Sequence, residues 1–161
     1  MRIGVVCDTH NNLRSVRAIV EIFDRAGVDR VVHTGDITQS KVLDAFAQMR
    51  APLYGVWGNN DLERETLEPA AARHAMHIVD GPLQLEWHGR AIVVVHDPRE
   101  LDRHLADHHA LALHGHTHLH RHERVNGTLV FNPGECAGHL PRHNRVGIVD
   151  LETLACRLEH F

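Results

Sequence analysis

Ile3-Gly4-Val5-Val6-Cys7-Asp8-Thr9-His10 is an apolar run that stops in polar residues, and Val31-Val32-His33-Thr34-Gly35-Asp36 repeats the pattern further on. The short apolar runs fit buried strands, at Ile3 to Cys7 and at Val31-Val32. Between them Val16, Ile19, Val20 and Phe23 recur at i, i+3, i+4, i+7, the spacing of one apolar helical face, and Gly27 marks its stop. Strand, helix and strand in that order predict a βαβ unit. Ser40 reads as the N-cap of a second helix carrying Val42, Leu43 and Phe46. Pro52 to Trp57 reads as a third strand, and Glu63 to His74 as a polar helix.

The second half is richer in strands. Leu83 to Trp87 and Ala91 to Val95 meet at His88-Gly89, and Arg121 to Val125 and Thr128 to Phe131 meet at Asn126-Gly127, a strong two-residue hairpin signal. A short helix is predicted over Arg99 to Ala106, then strands at Ala110 to His114, Val146 to Asp150 and Leu154 to Leu158. The expectation is a single α/β domain over residues 1–161, with a βαβαβ start and a mixed or antiparallel remainder.

Composition excludes several function classes. The longest purely apolar run is Ala91 to Val95, too short to cross a membrane. The formal charge is −4, and there are only two Trp, one Tyr and four Phe. That leaves neither the basic field nor the aromatic platform of a stable nucleic-acid binder. Cys7, Cys136 and Cys156 are widely spaced and odd in number, and the N-terminus shows no signal-peptide pattern. The expectation is a soluble, reduced, cytoplasmic protein without a disulfide framework. The 17 histidines stand out, ten of them between His88 and His122. Histidine is the commonest metal ligand among side chains.

Polar clusters follow the strands. They are Asp8-Thr9-His10, Gly35-Asp36, Gly58-Asn59-Asn60-Asp61, His96-Asp97 and Gly115-His116-Thr117-His118. Singly, each is an ordinary turn sequence. Together they matter, because ligands of open α/β sheets sit outside the carboxyl ends of strands. The candidate metal ligands are Asp8, His10, Asp36, Asn59, His96, His116 and His118. Mixed nitrogen and oxygen donors suit a transition metal and disfavour calcium. Seven exceed the needs of one four-coordinate zinc and suit two ions sharing a carboxylate, about 3.5–4 Å apart. The expected cofactors are two divalent transition-metal ions, manganese first, with iron, zinc, nickel or cobalt as alternatives.

The ordered series Asp8-x-His10, Gly35-Asp36, Gly58-Asn59-x-Asp61, His96 and Gly115-His116-x-His118 resembles the calcineurin-like metallophosphoesterase superfamily. The short chain and the closing Asn132-Pro133-Gly134 resemble its small YfcE-like phosphodiesterase branch. The resemblance spans residues 3 to about 150. It implies a four-layer α/β/β/α sandwich of two mixed sheets flanked by helices. It also implies that Asp8, His10 and His118 hold one metal and Asn59, His96 and His116 the other, with Asp36 bridging. The implied nucleophile is a water or hydroxide between the metals, attacking a phosphodiester. Two divalent ions set against Asp8, Asp36 and a hydroxide leave about one net positive charge, matched to a diester monoanion and better matched to its transition state. The catalytic assignment covers Asp36, Asn59, Asp61 and His96, with Asp61 accepting a hydrogen bond that orients the loop or a ligand histidine.

The sequence also departs from that family's pattern. Asn60 stands where many members carry a histidine that helps protonate the leaving group, and Asn cannot be a general acid. Weak action on unactivated phosphomonoesters follows, with His120, His122 and His139 as candidate substitutes. Asp97 replaces a Gly and adds negative charge beside the second metal. Glu135 replaces the Ser after Asn132-Pro133-Gly134, so any hydroxyl contact there is lost. Asn11 takes a Gly position, and Asn tolerates left-handed geometry. The expected substrate is a small phosphodiester or nucleotide-like molecule, with no membrane partner; a homo-oligomer is compatible. Two competing readings are a protein-interaction scaffold of the same fold, as in the retromer subunit, and a phosphomonoesterase or nucleotidase. The full set of ligand positions favours the phosphodiesterase.

Overall fold

The structure is a computed structural model that describes residues 1–140 and 142–161. The first sheet contains β1 (Arg2–Val6), β2 (Arg30–His33), β3 (Leu53–Val56), β4 (His77–Val79), β10 (Arg145–Asp150) and β11 (Cys156–His160). Its order is β11-β10-β1-β2-β3-β4, parallel from β1 to β4 and antiparallel at β10 and β11. The second sheet contains β5 (Leu83–Trp87), β6 (Arg90–Val94), β7 (His109–Leu113), β8 (Arg121–Val125) and β9 (Thr128–Asn132), in the order β5-β6-β7-β9-β8. Here β6, β7 and β9 are parallel, while β5 and β8 pair antiparallel at the edges. Both sheets are mixed, as the resemblance implies.

Alternation along the strands builds the layers. Ile3, Val5 and Val32 face Ile92, Val94, Leu111 and Phe131 across the gap between the sheets, all fully buried. On the opposite face, Val6 and Val31 pack under α1 (Leu13–Ala26), α2 (Ser40–Phe46) and α3 (Arg64–Arg73), which supply Ile19, Phe23, Leu43, Phe46 and Leu67. Val93, Ala112 and Val130 turn outward from the second sheet onto Leu101 of α4 (Leu101–His104). A side-chain period of two sends alternate residues of one strand into different cores. The result is the four-layer α/β/β/α sandwich.

Several elements differ from the sequence expectation. The helix predicted over Arg99 to Ala106 is a 3₁₀ turn at Pro98–Glu100 followed by the single turn of α4, because Leu105 is extended (φ −75°, ψ 128°). Gln39, not Ser40, is the N-cap of α2, and it makes no side-chain cap bond. The last strand starts at Cys156 rather than Leu154, which sits at φ 59° in the turn. The three-residue β4 gives no periodic signal. Both two-residue hairpins form, with His88-Gly89 and Asn126-Gly127 at positive φ throughout, as type I′ turns require. No helix among the described residues is long and apolar enough to cross a membrane.

His33, the last residue of β2, is buried below the site loops. Its Nδ1 accepts from Gly35 N at 3.1 Å, so its proton is on Nε2, 2.9 Å from Thr9 Oγ1. Burial pushes its pKa down to about 3. The unfolded chain therefore takes up a proton below about pH 6.5 that the folded ring refuses. Stability from this group is complete above that pH and is lost as pH falls toward 3. Urea unfolding of the metal-free chain at pH 7 and pH 5 checks this. The stability lost on acidification should be smaller in His33→Asn than in wild type by about 2 kcal/mol. Equal losses in the two proteins contradict it.

Candidate metal centre

All seven candidate ligands lie just beyond the carboxyl ends of parallel strands. Asp8 and His10 follow β1, Asp36 follows β2, Asn59 follows β3, His96 follows β6, and His116 and His118 follow β7. The loops are stitched together by Asp8 N to Gly35 O (3.0 Å), His10 N to Asp36 O (2.8 Å) and Gly115 N to His96 O (3.0 Å). Asp8, His10, Asp36, His116 and His118 all take positive φ, between 46° and 67°. For residues other than Gly this left-handed conformation costs roughly 1–2 kcal/mol each, and such strain gathers at functional sites.

The donors form two adjoining groups. In the first, one ligand atom each from Asp8, His10 and His118 lies within 4.8 Å of the others, and the two histidine Nε2 atoms are 3.5 Å apart. The second centres on His96 Nε2, which has Asn59 Oδ1 at 2.8 Å, His116 Nδ1 at 3.2 Å and Asp36 Oδ1 at 3.4 Å. Asp8, Asp36 and His96 are also mutually within 4.8 Å, so the carboxylates join the groups. Neighbouring ligands around an ion with bonds of about 2.1 Å lie about 3 Å apart, close to the separations seen here.

The electrostatics call for positive charge. Asp8 is fully buried and Asp36 is 2% exposed, and among the described residues neither has a Lys or Arg partner. Burial raises the Asp8 pKa and lowers that of His10. Buried carboxylates are costly unless paired or bound to metal. The donor set thus fits divalent transition metals.

A second tier of contacts holds the donors. Asp61, placed in the catalytic group from sequence, lies beneath the cleft and accepts four backbone N–H groups. They come from Asp36 (3.1 Å), Ile37 (2.6 Å), Thr38 (2.6 Å) and Gly58 (2.7 Å). Asn60 N and Nδ2 both donate to Asp36, at 2.9 and 2.7 Å. A Cβ on Gly58 would stand 2.2 Å from Asp36 Oδ1, and one on Gly115 would stand 2.8 Å from Asp8 Oδ2. Only Gly allows these backbones so close to the acids. Asn132 braces the His116 loop, its Nδ2 donating to Gly115 O (3.2 Å) and its Oδ1 accepting from Gly134 N (2.8 Å).

Asp97 caps the Pro98 turn, accepting Arg99 N at 2.9 Å, and forms an ion pair with the Arg99 side chain. Hydrogen bonds from Arg99 bring its pKa down to about 2, so it is a carboxylate, 3.9 Å from His116 Nε2. Of the candidate proton donors, His120 bonds Asn132 O (2.9 Å), and His122 packs against Phe131. His139 reaches the cleft and stacks on His10 with ring centroids 5.4 Å apart. The cleft, of about 370 Å³, is bordered by His10, Thr38, Gln39, Asn60, Glu63 and His139. A larger hollow of about 640 Å³ beside Asp97 and α4 contains none of the seven ligands. Glu135 Oε2 lies 2.5 Å from His118 Nδ1, a contact without a local signature in the sequence.

Comparison with known proteins shows the family and the fold. Residues 1–154 match the calcineurin-like phosphoesterase superfamily domain. The chain is 33% identical over 156 residues to a phosphodiesterase of Methanocaldococcus jannaschii, and the match covers 94% of each. Among solved structures, an archaeal phosphodiesterase superposes with a TM-score of 0.89 at 31% identity, covering 100% of both chains. The phosphoesterase YfcE of E. coli gives 0.73 at 19% identity, covering 99% of this chain and 98% of its own.

Asp61 offers a test of the scaffold. Asp61→Ala leaves four amides without their acceptor, and should lower Tm by roughly 6–12 °C on the basis of about 3 kcal/mol. Asp61→Asn, which keeps one acceptor oxygen, should fall between it and wild type. Calorimetry that finds wild-type Tm in Asp61→Ala contradicts the clamp.

Proposed function

The chain belongs to the calcineurin-like phosphoesterase superfamily, and from that premise we propose that it is a phosphodiesterase that hydrolyses small phosphodiesters with two divalent transition-metal ions. The observation that carries this reading is the convergence on His96 Nε2 of Asn59, His116 and Asp36, next to the Asp8, His10 and His118 group. Asp8, His10 and His118 would hold one ion and Asn59, His96 and His116 the other, with Asp36 between them. When bound, such ions supply Lewis acidity and lower the pKa of water that attacks phosphorus.

The chain's own groups set the geometry and the substrate. Asp61 fixes the backbone of Asp36. Thr34 O meets His96 Nδ1 at 2.8 Å, so Nδ1 donates there and Nε2 is free to bind metal. Asn60 donates to Asp36 from its backbone N and from Nδ2, and a side-chain amide is too weak an acid to protonate a leaving group. Among the described residues, no Lys or Arg lines the hollow beside His10 and Asn60, which includes Glu63. A phosphomonoester with a poor leaving group finds no proton donor in Asn60. A diester monoanion whose leaving group departs without protonation suits the site better.

Chelator-stripped protein assayed with bis-p-nitrophenyl phosphate, before and after Mn²⁺, tests this reading. Mn²⁺ should restore hydrolysis, and Asp36→Ala should lower it at least about 100-fold, the scale of losing a transition-state contact. An unactivated alkyl phosphomonoester should turn over far more slowly. Folded protein that stays inactive with every transition metal contradicts the proposal.

A further inference from the structure

We propose that Glu135 is a positioning residue for the metal centre: it holds the His118 ring in the tautomer and orientation that present Nε2 to the metal. This rests on the reading of His118 as a ligand. Glu135 is 2% exposed, and its Oε2 lies 2.5 Å from His118 Nδ1. Its Oε1 accepts from His139 N at 2.9 Å, so both carboxylate oxygens are engaged. A carboxylate at Nδ1 makes that nitrogen the donor and leaves the lone pair on Nε2. That Nε2 is the atom facing His10 Nε2 at 3.5 Å.

The backbone that carries the Glu135 side chain is itself anchored. Arg145 N donates to Glu135 O at 2.9 Å, Gly134 N to Asn132 Oδ1 at 2.8 Å, and Asn12 Nδ2 to Ala137 O at 2.6 Å. These contacts anchor the segment to β10, β9 and the start of α1. The same carboxylate ties down the backbone of His139, whose ring stacks on His10 and His118. A serine at this position has a side chain too short to make both bonds. Glu135 thereby gives His118 the carboxylate partner that raises the basicity of a ligating imidazole.

His118, Glu135 and His139 could also hold an ion by themselves, since their donor atoms lie within 4.8 Å of one another. The test separates that role from positioning. Calorimetric titration of the stripped full-length chain with Mn²⁺ gives stoichiometry and affinities. Nitrogen-15 spectra of the metal-free protein at pH 8 report the His118 tautomer. The expected result is two Mn²⁺ per wild-type chain and a His118 protonated at Nδ1. In Glu135→Ser one affinity should fall about 10–100-fold and the ring should become a tautomer mixture. Glu135→Gln, which keeps an acceptor oxygen in place, should recover most of both. Unchanged affinities and tautomer in Glu135→Ser overturn the proposal, as does loss of a third Mn²⁺ with the other two unaffected. A wild-type chain that takes up no Mn²⁺ overturns the metal-centre reading, and the proposal with it.

Discussion

Asp8 and Asp36 are acids removed almost entirely from water, with no lysine or arginine against them among the described residues, and the architecture around them is arranged to keep them so. A buried charge of this kind is tolerated when hydrogen bonds and a cation share it. Backbone N–H groups supply part of the answer, His116 N on Asp8 and Asn60 N on Asp36. Imidazole nitrogens stand near both acids, His96 Nε2 at 3.4 Å from Asp36 Oδ1 and donors of His10 and His118 within 4.8 Å of Asp8, and neutral imidazole binds cations. The layers, loops and glycines are means of bringing those donors to the same point.

Two sheets achieve this where one could not. Asp8, His10, Asp36 and Asn59 come from the first sheet, and His96, His116 and His118 from the second. The core of Ile3, Val5, Val32, Ile92, Val94 and Leu113 fixes one sheet against the other. The donor loops inherit that rigidity, and it sustains the left-handed backbone at five of the seven candidate ligands. Local strain of this size persists only where the surrounding packing over-determines it.

Much of this was legible in the sequence, for a physical reason. Buried strands write themselves as short apolar runs, and the polar residue after each run marks the edge where ligands gather. Asn126-Gly127 and His88-Gly89 disclosed their hairpins because a two-residue turn needs positive φ at both positions. What stayed hidden depends on contacts between distant residues. Asp61 is expected to accept a hydrogen bond that orients its loop, but that its partners include amides more than twenty positions away has no local signature. Glu135 reaches His118 only because β8 and β9 fold back on each other, so the sequence showed a missing hydroxyl and not a new carboxylate. The left-handed geometry of Asp8, His10, Asp36, His116 and His118 was equally invisible, because these residue types do not require it. The helix expected after Asp97 shortened because its periodicity covers too few residues to decide where Leu105 turns extended.

The two adjoining donor groups share Asp8, and the proposal that they hold two ions joined by Asp36 sets a definite stoichiometry. Electron paramagnetic resonance of the stripped chain loaded with Mn²⁺, paired with elemental analysis, tests it most directly. Two Mn²⁺ per chain and the spectrum of an exchange-coupled pair are expected. One Mn²⁺ per chain with the six-line spectrum of an isolated ion would contradict it.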